Sequence, residues 1–405
     1  MQKKQGALTE QCCECGNCII ICPAHAIEFR SETPFYRRAT VNGSLCIGCG
    51  RCEQVCPAIN PVEKHLPLAT YGAFSKRKEA GKSSSGGMFL ELALEVIAEG
   101  GVVVGAAYQS DWSVSQQMIS KREDIEILQG SKYVKSDVGD SFQKTKERLI
   151  RGQKVLYSGT PCQIAALYCF LGEKLSQCQE LITVDLVCHG TPPSQLFKDY
   201  IATLEKKEGG KVEGFSFRGK KFGHKHVGHY VIRKRGKSKK KTMFSTENSY
   251  FWMFLDGCIY NNECYSCSYA RPERVADFTI CDFWGWRGEL QSAMKELNIS
   301  EDISMSAVLL HTKKAENLFD KIKENMICTS VEYTQVIRHN PQMKNPSINR
   351  QDEREEIIRE YERMGYAGVE HYFKRKTNLK RYILRITCMI PQKWKNRIKR
   401  LLRLG

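Results

Sequence analysis

Residues 12–23 read CCECGNCIIICP, five thiols where a tetrahedral metal site needs four. With Cys13 set aside, Cys12, Cys15, Cys18 and Cys22 follow the spacing C-x2-C-x2-C-x3-C and end on Pro23. The stretch SLCIGCGRCEQVCPAIN repeats that spacing over Cys46, Cys49, Cys52 and Cys56 and ends on Pro57. Three thiolates in a tight glycine-containing loop can reach three irons of one cubane, and the fourth, a helical turn on, faces a second cubane. Gly16, Gly48 and Gly50 supply the turns and expose amide N–H groups to sulfides. Zinc ribbons use two C-x2-C pairs rather than two runs of four. Disulfides between cysteines three apart would be strained. The chemistry is single-electron storage on two [4Fe-4S] clusters, with Cys13 left as a free thiol.

The paired tract resembles a bacterial dicluster ferredoxin over about residues 8–62. The resemblance implies Cys12, Cys15, Cys18 and Cys56 on one cluster and Cys46, Cys49, Cys52 and Cys22 on the other. Such clusters pass electrons and do not choose a substrate, so the rest of the chain must direct them.

A chain of 405 residues exceeds one ordinary core, and its 41% apolar content supports globular folding in two or three domains. After PVEKHLPLATYG the loop SSSGG precedes MFLELALEVIAE, which has helical spacing, and GGVVVGAAY, which reads as a buried strand. A small-residue loop opening a helix suits an anion. KVLYSG is a strand; Thr160 caps the following helix, Pro161 takes its first position, and Cys162 lies in its first turn. LITVDLVC is a second strand, placing Cys188 and His189 at its carboxyl end, where α/β sheets bind ligands. EGFSFRGKK, GHYVIRKRG and KKKTMFS read as a basic antiparallel sheet, and NSYFWMFLDGC as a helix.

The ordered set SSSGGMF, QGSKYVKSDV, YSGTPCQIAAL, DLVCHGTP, FSFRGKK, CYSC and VADFTICDFWG resembles the beta subunits of coenzyme F420-reducing hydrogenases and formate dehydrogenases, over about residues 70–345. The resemblance implies an iron–sulfur flavoprotein binding FAD, with FMN as the alternative. Such a protein would pass electrons between clusters and F420 or a small anionic or sugar-type substrate, in some members beside polysaccharide synthesis. Ser83, Ser84, Ser85, Gly86 and Gly87 become the flavin phosphate cradle, Lys132 a flavin contact, and His189 a proton donor at the catalytic centre. Cys162, Cys188, Cys264 and Cys267 form a third [4Fe-4S] site, with Cys258, Cys264, Cys267 and Cys281 as the rival set. The rival function is a non-catalytic electron-transfer subunit of a larger redox complex.

The expected fold class is mixed α+β and α/β in several domains. A dicluster ferredoxin-like domain spans 1–62, a linker 63–82, an α/β flavin and iron–sulfur domain with the basic β region 83–345, and a helical basic tail 346–405. The net charge of +17 is local: residues 218–241 hold eleven Lys or Arg and residues 371–405 twelve, neither with an acid. The first stretch suits an anionic substrate or a redox donor or acceptor protein; nucleic acid has no recognition fold to support it. WKNRIKRLLRL reads as a basic amphipathic helix for an anionic membrane surface. No secretory signal and no apolar run of spanning length occur, so the sequence predicts a reducing cytoplasm, peripheral at the inner membrane surface.

Overall fold

The structure, a computed structural model, describes residues 4–219, 227–297, 299–300, 303–389 and 394. The cysteine repeat folds as a repeat. Short helices Asn17–Ile21 and Arg51–Gln54 each start after a glycine in the left-handed region, Gly16 at φ 81° and Gly50 at φ 71°. A side chain at either position would be strained, which is why the loops carry glycine there. Between the two helices lies an antiparallel hairpin of strands Ile27–Thr33 and Tyr36–Val41, with Gly6–Ala7 paired on the outer side of the second strand.

The body is built on a nine-stranded sheet. Its order across the sheet is 326–330, 69–75, 306–310, 278–282, 181–186, 155–159, 102–108, 114–119 and 136–137. The four consecutive strands Phe278–Asp282, Leu181–Leu186, Val155–Gly159 and Val102–Tyr108 are parallel. Their near-continuous apolar runs reflect burial on both faces. Helices Met88–Ala98 and Lys313–Ile322 cover one face, packing Leu92, Val96 and Phe319 on Val103, Leu156 and Val184. Helices Ser141–Ile150 and Pro161–Leu171 cover the other, packing Phe142, Ile164 and Leu167 on Val104, Val155 and Leu181. A separate antiparallel sheet of Lys211–Ser216, Val227–Lys234 and Lys237–Phe244 carries the basic sequence, as expected from its glycine turns and alternation. His224 and His226 of that stretch lie outside the described residues.

Two expected boundaries are corrected. Residues 63–82 are not a linker: Ala69–Ser75 is a strand inside the large sheet, paired on one side with Ser306–Leu310 and on the other with Met326–Ser330. Its sequence ATYGAFS is small and weakly patterned, so the preceding polar, proline-containing residues dominated the reading. Residues from 346 are helical, as expected, but they pack into the body. Helices Gln351–Met364 and Tyr366–Met389 place Ile357, Val369, Tyr372 and Phe373 in an aromatic core with Phe197, Phe217 and Tyr250. The amphipathic segment expected near the C-terminus lies outside the described residues apart from Trp394. Among the described residues no helix is long and apolar enough to cross a membrane.

The N-terminal unit is fastened to the body by buried groups. Phe35, at the tip of the N-terminal hairpin, is buried in the body's aromatic core 5.8 Å from the Tyr361 ring. Burying a side chain of that size contributes about 2 kcal/mol. Asn17 is fully buried, and its Nδ2 donates to Val55 O at 2.9 Å and to Ala166 O at 2.7 Å on helix Pro161–Leu171. These contacts fix where the N-terminal thiols face the sheet.

Candidate redox site

The eight repeated cysteines divide by depth. Cys12, Cys15, Cys18 and Cys56 are buried, whereas Cys22, Cys46, Cys49 and Cys52 are only partly so. Burial raises the Cys18 thiol to about 12, with Cys12, Cys56 and Cys52 as further causes in that order. Cys12 and Cys56 thus lie near Cys18, and so does Cys52 of the other expected set. Backbone amides point at sulfur: Ala26 N donates to Cys22 Sγ at 3.3 Å and Gly48 N to Cys46 Sγ at 3.4 Å. Such bonds support thiolate ligands.

The body brings four distant cysteines together. Strand Val155–Gly159 ends at Thr160, whose capping box with Gln163 starts helix Pro161–Leu171 and fixes Cys162 in its first turn. The neighbouring parallel strand Leu181–Leu186 runs out to Cys188. Both cysteines thus sit past the carboxyl ends of adjacent strands, at the ligand-binding side of such a sheet. Cys264 and Cys267 come from the turn around Asn262–Ser266, tied back by Asn261 N donating to Thr191 O at 3.0 Å. The Cys188 thiol is raised first by burial and then by Cys264, Cys162 and Cys267. Burial likewise pushes the Cys264 thiol up to about 12. Four thiols that resist ionisation alone and lie within electrostatic reach of one another fit a cationic iron centre, because coordination deprotonates a thiol outright.

Among the described residues the rival set shows no such mutual influence. Cys258 donates to Asp256 Oδ2 at 3.3 Å and Glu353 Oε2 at 3.5 Å. Cys281 is raised by burial and then by Asp282, with no cysteine among the causes.

Cys13 is not an idle leftover. Its thiol lies beside Cys15 and Cys162, both of which act on it electrostatically. Its carbonyl oxygen accepts from Lys135 Nζ at 2.6 Å. Glu14, left-handed at φ 54°, accepts from Asn261 Nδ2 at 2.6 Å and pairs with Arg37 at 3.0 Å. Asn17, Lys135 and Asn261 were missed in the sequence. A buried amide or lysine looks like any surface polar residue until its partners, more than 100 positions away, are known.

A cavity of about 1030 Å³ opens between the large sheet and the basic sheet. Its wall includes Ser83, Ser84, Lys132, Trp112, Arg218 and His229. Ser84 Oγ accepts from Ser131 N at 2.7 Å, joining the loop after Lys82 to the loop before Lys132. Trp112 stands at φ 65°, a strained conformation for a bulky residue. Lys132 Nζ meets the carbonyls of Ile127 at 3.0 Å and Gln129 at 2.8 Å, and burial lowers it to about 7. Arg218 pairs with Asp282 at 2.9 Å, yet among the described residues its Nε is buried without a hydrogen-bond partner, as is the Tyr108 hydroxyl. Orphaned donors, a desolvated lysine and aromatic rings fit an anionic aromatic ligand.

Three of the expected cradle residues do not line this cavity. Ser85 Oγ donates to Met305 O at 3.0 Å, and a Cβ on Gly86 would come 2.4 Å from Ala73 O, so SGG there lets the helix start press against strand Ala69–Ser75. Gly87 caps the helix at φ 87°. His189 is exposed and outside the cavity wall, so a proton donor for that cavity must come from its lining residues.

Residues 152–335 match the family profile for the C terminus of the coenzyme F420 hydrogenase/dehydrogenase beta subunit. Residues 11–59 match the 4Fe-4S dicluster domain. Among solved structures, a chain of the F420-reducing [NiFe] hydrogenase complex from Methanosarcina barkeri, studied with xenon, aligns at 17% identity and a TM-score of 0.43. The alignment covers 69% of this chain and 91% of that one. No curated protein matches.

Proposed function

For a chain whose residues 11–59 are a 4Fe-4S dicluster domain and whose residues 152–335 fall in the F420 hydrogenase/dehydrogenase beta-subunit family, we propose an iron–sulfur flavoprotein reductase acting on an anionic substrate. An iron–sulfur redox role related to that subunit is the part the family relationship carries directly. The observation that carries the rest is the sulfur line: a half-buried set, a buried set, and a third set lying near the second with Cys13 between them.

In this reading Cys46, Cys49, Cys52 and Cys22 hold the outer cluster, Cys12, Cys15, Cys18 and Cys56 the middle one, and Cys162, Cys188, Cys264 and Cys267 the inner one. FAD occupies the cavity beside Lys132. The clusters supply single electrons and the flavin supplies hydride chemistry when bound. Ser83, Ser84 and Ser131 present hydroxyls to the ligand's phosphates. Lys132, which pairs with no carboxylate among the described residues, gains an anionic partner when the cavity fills. Arg218 and His229 line the part of the wall formed by the basic sheet, where an anionic substrate would meet them. Trp112 and Tyr108 close the apolar side and exclude water.

Anaerobic purification with iron, sulfide and released-flavin analysis tests this. The expected protein carries about twelve irons, about four per cluster, and one flavin. About eight irons and no flavin after cofactor reconstitution would reduce it to a dicluster protein.

A further inference from the structure

Lys135 is buried, with 9% of its surface exposed, in the segment that links the cavity loop to strand Ser136–Asp137. Its backbone N donates to Pro192 O at 2.8 Å, which holds it beside the loop after Cys188. Its ammonium reaches across to the N-terminal unit and donates to Cys13 O at 2.6 Å. The groups that face it are Cys162, Cys13, Glu14 and Cys264, and it acts on Cys12 as well. Glu14 is already engaged by Arg37 and Asn261. The lysine's positive charge therefore faces mainly thiols, two of them from the third set. A cation buried beside a centre stabilises whichever of its states is more negative, and burial preserves that effect against screening.

We propose that Lys135 is a positioning charge of the third sulfur set. Clamped on the Cys13 carbonyl between the buried N-terminal set and the body set, it raises the reduction potential of the body centre. One electron lost on the N-terminal side is gained on the body side, and no proton or bond changes hands. This rests on the third cluster of the proposed function.

The test uses the full-length protein, purified and reconstituted without air, as wild type, Lys135→Gln and Lys135→Arg. Glutamine keeps a donor for the Cys13 carbonyl and drops the charge, while arginine keeps both. Iron content is measured on each, and the reduced fraction of each centre is followed by electron paramagnetic resonance in a mediated redox titration. All three proteins should carry equal iron. At the potential that half-reduces the body centre in the wild type, its reduced-to-oxidised ratio should fall on the order of tenfold in Lys135→Gln, about 59 mV for a one-electron centre. Lys135→Arg should stay within about twofold of the wild type, since it keeps the charge. An unchanged ratio in Lys135→Gln with full iron would overturn the proposal. So would equal shifts in both variants, because the residue would then be structural. A wild type with about eight irons would defeat the third cluster itself, and would do so before any variant is compared.

Discussion

The N-terminal and body cysteine sets are built in opposite ways. In the N-terminal unit the ligands are neighbours in sequence, each run of four closing over a glycine turn and a short helix. In the body the four thiols come from two strand ends and a distant turn, spread from Cys162 to Cys267. The first kind is specified by the local chain and could form early in folding. The second exists only once the parallel sheet has closed. The same ligand type can thus be a cause of folding in one region and a product of it in another.

Removing single thiols breaks this contrast most forcefully. Cys188→Ala should cost about four irons and leave the N-terminal clusters' spectra intact. Cys258→Ala, outside the assembled set, should cost none. Iron and sulfide per chain read both outcomes, and equal loss from the two variants would dissolve the distinction. A smaller effect is expected at the seam. Asn17→Leu leaves the Val55 and Ala166 carbonyls without their buried donor, at about 2 kcal/mol. Thermal unfolding of the reconstituted protein should show the N-terminal unit released first. An unshifted transition would mean that Phe35 alone secures it.

The smallest effect concerns the cavity rather than the thiols. Lys132 is held down to about 7 by burial, so in the empty protein it loses its proton as pH rises through that value. An anionic ligand prefers the charged form. Flavin affinity should therefore be flat below about pH 7 and weaken by up to about tenfold per pH unit above it, with proton uptake on binding. Lys132→Gln should flatten that slope. Flavin fluorescence titrations across pH would measure it, and an unchanged slope in the variant would place the dependence elsewhere.

How much of this was legible in the sequence follows from the same contrast. The spacing of Cys12 to Cys56 fixed the ligand type and the repeat, because local geometry is written in local order. The strands around Val102, Val155 and Leu181, and the cap at Thr160, were readable from apolar runs and capping chemistry. The third set was reachable through motif resemblance, and its four thiols are the ones that lie within electrostatic reach of one another. Of the expected cradle Ser83 to Gly87, only Ser83 and Ser84 line the cavity, because glycines that let a backbone approach a ligand look like glycines that let it approach another strand. The roles of Cys13, Asn17 and Lys135 had no local signal, since each depends on a partner from another segment.

Strand Ala69–Ser75 has a consequence for how the two functional halves could be joined or parted. It lies between Ser306–Leu310 and Met326–Ser330, so a segment that precedes the cavity loop is sewn among the last strands of the sheet. A gene fragment beginning at residue 83 would leave a gap one strand wide and two raw edges. The point at which an ancestral fusion could have been made, or an engineer could cut, lies upstream of residue 69.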